Sequence, residues 1–237
     1  MTTNAHANAN IVKNGRDVFV DFSLIAAAFA ALSLAAILGF LLLSRPRSTV
    51  ISQNISLLQP TDDPIQSSVT GEAANPIIWE ENGITWTMQP RASYQIAARV
   101  LGNKRYYDWQ SDVVPRDLAL GWGNMSAPSV DEWVHWRQSN RWYRYQWDST
   151  PPYGSSYIAT HTANVHIIPA TDNLEKALRQ IQENDLVYLE GYLVDLQVQD
   201  GSREGRVSTS LTRDDKGAGA CEILYVERLI LDGRLYK

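Results

Sequence analysis

Twenty-two consecutive residues, Phe22 to Leu43, carry no charge and no proline. As a helix rising ~1.5 Å per residue this run reaches ~33 Å, enough to cross a ~30 Å hydrocarbon core. A helix packed on a water-soluble domain keeps a polar stripe, whereas here only Ser23 and Ser33 interrupt the apolar surface. The run reads as a transmembrane helix, and everything else in the chain must suit a domain held at a membrane. A cleaved signal peptide fits less well, because its apolar core spans ~7–15 residues and ends at a small-x-small site. This run is longer and passes into Ser44-Arg45-Pro46-Arg47, behind a polar tail bearing Lys13, Arg16, Asp17 and Asp21.

Within the run, Ser23, Ala27, Ala31, Ala35 and Gly39 recur every four residues. Small residues at this spacing let a second helix backbone approach closely, a main source of helix association in lipid. The stripe is therefore a candidate docking face for an integral-membrane partner. Two basic residues flank each end, Lys13 and Arg16 against Arg45 and Arg47, so the positive-inside count is tied. A single helix after a short tail behaves as a signal anchor, which places the C-terminal domain in the periplasm of a bacterial inner membrane.

The chain divides into a polar tail over 1–21, the helix over 22–43, an extended linker over 44–76 and one domain over 77–237. The linker reading rests on Pro46, Pro60, Pro64, Pro76 and interspersed Ser, Thr and Asp, which cannot bury a core. All four Phe lie at residues 19–40, and all eight Trp and eleven Tyr lie beyond residue 78. Trp and Tyr need a partner for N–H or O–H, so the distal segment is folded. Strand signals cover 84–88, 94–100, 142–147, 165–168, 186–198 (interrupted by Gly191), 206–211 and 221–231. One helix is expected near Leu174–Ile181, capped by Thr171 or Asp172. These signals predict one N-terminal transmembrane helix plus a mainly-β domain, a small barrel or sandwich. The stretch 185–194 is similar to strands of OB-like barrels. Residues 106–123 read as a loop rich in Gly and Trp.

Chemistry-bearing residues are few. Cys221 is the only cysteine, which rules out an internal disulfide, and it reads as a small buried hydrophobe. His161 and His166 are five apart, so on one strand they face opposite ways and cannot chelate together. The chain lacks CxxC, HExxH, Walker, GxSxG and GxGxxG patterns, so neither a metal nor any other cofactor is expected. After residue 75 the chain carries 17 basic and 21 acidic residues, which argues against a nucleic-acid footprint. The most distinctive stretch interleaves arginine with aromatics: Trp133, Trp136 and Arg137, then Arg141, Trp142, Arg144 and Trp147. Trp, Tyr and Arg dominate protein-interface hot spots, so these seven residues are the candidate partner-binding set.

The segments His166-Ile-Ile-Pro-Ala170, Glu190-Gly-Tyr-Leu-Val194 and Ser210-Leu-Thr-Arg-Asp214 through Gly219-Ala-Cys-Glu222 resemble a group of bacterial single-pass membrane-anchored proteins without an assigned function. The resemblance covers most of 94–226 and implies a shared fold, but no activity or site residue. The expected role is a non-catalytic accessory or assembly subunit of an inner-membrane complex of respiratory or photosynthetic type. It would meet membrane lipid and integral-membrane subunits, and no nucleic acid. The rival expectations are a hydrolase using Cys221 or a His, and an envelope glycan- or ligand-binding module.

Overall fold

The computed structural model describes residues 22–51, 57–81, 83–147, 152–201, 203–214 and 220–237. The chain separates into two units between Ser44 and Arg45. In the first unit α1 (Phe22–Leu43) is one continuous helix. Its side chains are described only from 29 to 39, where Ala31 and Ala35 are exposed and no atom lies within 4 Å of a Cβ placed on Gly39. Among the described residues no helix is long and apolar enough to cross a membrane. The tail over 1–21 and the side chains of Ser23 and Ala27 lie outside the described residues.

The second unit is mainly β. In chain order it holds β1 (Thr49–Val50), β2 (Ile65–Ser68), β3 (Ile77–Glu81), β4 (Ile84–Arg105), β5 (Arg116–Gly121), β6 (Val134–Ser139) and β7 (Trp142–Trp147). Then follow α2 (Ser155–Thr160), β8 (Thr162–Pro169), α3 (Asp172–Leu178), β9 (Leu186–Asp200), β10 (Arg203–Val207), β11 (Glu222–Leu231) and β12 (Arg234–Tyr236). Five strands close into a hydrogen-bonded ring: β4 pairs antiparallel with β5 and β9, β5 with β8, and β9 with β11. The ring closes where β11 runs parallel to β8.

Alternation along each strand sends one set of side chains inward. Ile96, Ala98, Val100, Leu118, Leu120, Val165, Ile167, Leu189, Leu224 and Val226 fill the interior, and α3 adds Leu174, Ala177 and Leu178. Thr171 caps α3 as expected, its Oγ1 accepting from the Leu174 N–H at 3.2 Å. A second cluster lies beyond this core, where Trp86 and Met88 of β4 meet Val194 and Leu196 of β9, Val113, Val114, Ile168 and Ile223.

The strands expected at 84–88 and 94–100 are one long strand, β4. Its register with β9 shifts between Pro90 and Ala92, an irregularity that tolerates the missing N–H of Pro90. The linker expectation for 44–76 is corrected in part: β1 pairs with β12 and β2 with β4, so the compact unit begins at Arg45. The reason is that β4 is longer than its ring partners and offers a backbone edge that β2 and β3 complete. The loop expected over 106–123 contains β5, a ring strand.

Gly191 marks a close approach of two ring strands. It pairs with Val226 beside a register shift in β11, and a Cβ there would sit 1.9 Å from the carbonyl oxygen of Tyr225. Gly191→Ala is therefore expected to destabilise the unit by about 2 kcal/mol or more through forced backbone displacement. Urea unfolding of the full chain, followed by tryptophan fluorescence, measures this; an unchanged midpoint would contradict the packing described.

Candidate functional site

Because Leu118, Leu120, Val165 and Ile167 point into the ring, Asp117 on β5 and Asn164 and His166 on β8 point outward. An outward face normally meets water, yet Asp117 and Asn164 are fully buried, at 0% and 1% exposure. The hairpin β6–β7, a separate two-stranded sheet, supplies the groups that meet them.

The hairpin turns at Asn140-Arg141, both with positive φ (52° and 66°). Two left-handed residues joining paired Ser139 and Trp142 form the mirror-image turn that hairpins favour. Asn suits that backbone; Arg does so at a cost of about 1 kcal/mol. What compensates is the Arg141 side chain. Its Nε and Nη2 donate to the Asp108 carboxylate at 2.9 and 2.6 Å, and its Nη1 donates to Val114 O at 2.8 Å and Asp117 Oδ1 at 3.2 Å. The guanidinium also lies 4.3 Å from the centre of the Tyr106 ring. Gln138 donates to Asn164 Oδ1 at 2.8 Å, and the Tyr143 hydroxyl meets Thr162 Oγ1 at 2.9 Å. Below the hairpin, Met125, Val130, Val134 and Ile158 form a third apolar cluster.

Period-two alternation divides the expected partner-binding residues between two faces. Directly opposed residues share a face, so Val134/Trp147, Trp136/Tyr145 and Gln138/Tyr143 form one, and Arg137/Arg144 and Ser139/Trp142 the other. Trp136 stacks on Tyr143 and packs against Tyr145 on the covered face, and Trp133 packs against Tyr153. Trp147 leans on Tyr145 at the open end of the hairpin and stays 41% exposed. Arg141, expected at a partner surface, is turned inward because two carboxylates and a carbonyl of its own chain hold it. Arg137, Trp142 and Arg144 face outward together and are exposed.

Under the hairpin, Nδ1 of His166 donates to Asp117 Oδ1 at 2.8 Å. Half-buried Cys221 lies nearby, with Asn164 Nδ2 3.9 Å from its Sγ. Burial opposes a charge on His166, but the hydrogen bonds with Asp117 and Cys221 and their negative charge outweigh it and raise its pKa to about 9. On the ring's inner side, Glu222 pairs with Arg213, whose Nη2 donates to the Tyr94 hydroxyl at 2.7 Å. Burial, with Glu222 nearby, pushes the Tyr94 phenol well above its usual range. His161 is remote in role, stacked on Tyr157 at 3.7 Å. Among the described residues no cluster of three His, Cys, Asp or Glu is arranged to hold a metal.

Sequence reading passed over Asp108, Asp117, Gln138 and Asn164 as members of one assembly. The available signal was Asp117 preceding Leu118-Ala119-Leu120, an alternation too short to mark a strand. Arg116, its neighbour in sequence, donates instead to Asn103 Oδ1. No family model, curated protein or solved structure matches the chain.

His166 yields a prediction with a definite sign. Its folded pKa of about 9 exceeds the unperturbed ~6.5, so its contribution is complete below pH ~6.5 and is lost as pH rises through about 9. Unfolding free energy measured from pH 6 to 9.5 is expected to fall by roughly 1–3 kcal/mol more in wild type than in His166→Gln. Parallel curves for the two proteins would contradict the assignment.

Proposed function

We propose that this chain is a membrane-anchored accessory or assembly subunit that binds partner subunits through the outer face of the β6–β7 hairpin. The observation that carries the reading is the outward Arg137–Arg144 pair beside exposed Trp142. Like charges directly opposite one another destabilise a sheet. No carboxylate among the described residues reaches either guanidinium, whereas Arg91, Arg99, Arg141, Arg206, Arg213 and Arg228 are each paired within the chain. A partner bearing acidic groups would relieve the repulsion, and Trp with Arg is the composition that concentrates interface energy.

We read the ring as an OB-type barrel: the third ring strand (β8) runs parallel to the fifth (β11), and α3 lies between the third and fourth. OB barrels bind oligonucleotides and oligosaccharides on the face of strands two and three. Here that face carries Asp117, Asn164 and His166 beneath the hairpin, so recognition moves to the hairpin's outer side. The mildly acidic balance of the chain also disfavours nucleic acid.

The apolar run of α1 supports a single-pass anchor in a bacterial inner membrane, with the β-rich unit on the periplasmic side. Ala31, Ala35 and Gly39 would let an integral-membrane subunit pack against it. A respiratory or photosynthetic complex is the kind of assembly this combination suits.

Mild-detergent extraction of the tagged full chain, with identification of co-purifying proteins, tests the reading. Two interface arginines at ~2 kcal/mol each predict that Arg137→Ala/Arg144→Ala retains less than about one tenth of the wild-type partner. Its melting temperature should match or exceed that of wild type, because a repulsive pair is removed. Undiminished co-purification would overturn the proposal.

A further inference from the structure

Along the edge of β7, a cavity of about 280 Å³ lies between that strand, α2, β8 and the start of β11. Its walls combine the rings of Trp142 and Tyr145, the hydroxyls of Ser155 and Thr212, and the Arg213–Glu222 pair. A buried pair of this kind adds little stability, because desolvating two charges offsets their attraction. Glu222 is 2% exposed, whereas the Arg213 side chain stays 27% exposed. The guanidinium is fixed in place: Nη1 donates to Glu222 and Nη2 to the Tyr94 hydroxyl, and the Tyr94 and Trp122 rings lie 5.1 and 5.7 Å from Cζ. Arginine has five N–H donors. Among the described residues, Arg213 has no nitrogen that is both buried and unpartnered, so its remaining donors are open to a ligand.

Among the described lining residues no other Lys, Arg, His, Asp or Glu is present, so the charged groups of the wall cancel. A ligand carboxylate would be repelled by Glu222, and a ligand ammonium by Arg213. A hydroxyl both donates and accepts, so it can bridge the guanidinium and the carboxylate while their pair stays intact. A pyranose ring carries hydroxyls at its rim and apolar C–H groups on its faces, which match the polar base and aromatic walls. The volume sits just below the ~300–1,000 Å³ usual for ligand pockets, room for one ring rather than a chain. We propose that this cavity binds a single neutral pyranose ring, with Arg213 and Glu222 holding its hydroxyls and Trp142 and Tyr145 packed on its C–H faces. The inference goes beyond the docking role. Trp142 borders both surfaces, whereas Arg213, Glu222 and Tyr145 have no part in the Arg137–Arg144 patch, so either reading can fail alone.

Saturation-transfer NMR on the full chain in lauryldimethylamine oxide, a detergent without a sugar headgroup, tests this. The probes are the methyl β-glycosides of glucose, galactose and N-acetylglucosamine, and methyl α-mannoside. At least one is expected to show transfer, stronger at its ring C–H than at its O-methyl protons, with a Kd on the order of 1 mM for a ligand of this size. Glu222→Gln is expected to weaken that Kd at least tenfold. So is Trp142→Ala, at a side chain 42% exposed and therefore removable without loss of the fold. Arg137→Ala/Arg144→Ala is expected to bind the sugar as wild type does. No transfer from any of the four glycosides overturns the proposal without reliance on a variant. Transfer undiminished in both Glu222→Gln and Trp142→Ala puts the sugar elsewhere and overturns it equally. A methyl glucuronide that binds more tightly than the glucoside overturns the neutral-ligand assignment.

Discussion

The contacts of Arg141 organise the outer half of this molecule. An arginine with φ of 66° sits at a hairpin tip where an Asn-Gly pair would be relaxed, and its guanidinium spans Asp108 and Asp117. Asp117 is fully buried, and an unpaired buried carboxylate costs several kcal/mol, so the pair cannot be separated cheaply. The strained turn and the covered face of the ring both depend on this clasp, and the same Asp117 carboxylate favours the charge on His166. Without Arg141 the hairpin would have a left-handed tip to maintain and only neutral hydrogen bonds, from Gln138 and Tyr143, to hold it on β5 and β8.

That clasp gives the hairpin two different surfaces. Its covered side is packed against the chain: Trp136 meets the rings of Tyr143 and Tyr145, and Gln138 meets Asn164. Its outer side carries Arg137, Trp142 and Arg144, and no carboxylate among the described residues forms an ion pair with either arginine. A ring whose second and third strands were bare could receive a ligand directly. This ring has filled that position with its own chain, and what it presents outward is an aromatic and cationic patch, the surface on which the proposed docking role rests.

Much of the β-rich unit was legible because its strands obey period two and its caps follow local rules. Thr171, one of two candidate caps before an apolar helical repeat, takes that role, and the Gly191 that interrupts a strand sits where two backbones approach closely. β5 was illegible because six residues bearing Asp117 and two Gly- or Ala-sized positions do not alternate convincingly. The stretch 44–76 misled because proline and serine describe a solvated strand edge as well as a tether. The hairpin register was hidden for a different reason: Arg is a poor residue for positive φ, so Asn140-Arg141 gave no turn signal. Arg141 therefore read as a surface residue alongside Arg137 and Arg144. Only the alternation fixed by that turn separates the inward arginine from the outward pair.

Hydrogen exchange with and without the clasp tests this most directly. In Arg141→Ala, amides of 134–147 are expected to lose protection by at least tenfold, while ring amides in β4, β9 and β11 keep theirs. Protection of the hairpin unchanged from wild type would show that it lies on the ring for reasons other than the Arg141–Asp117 pair.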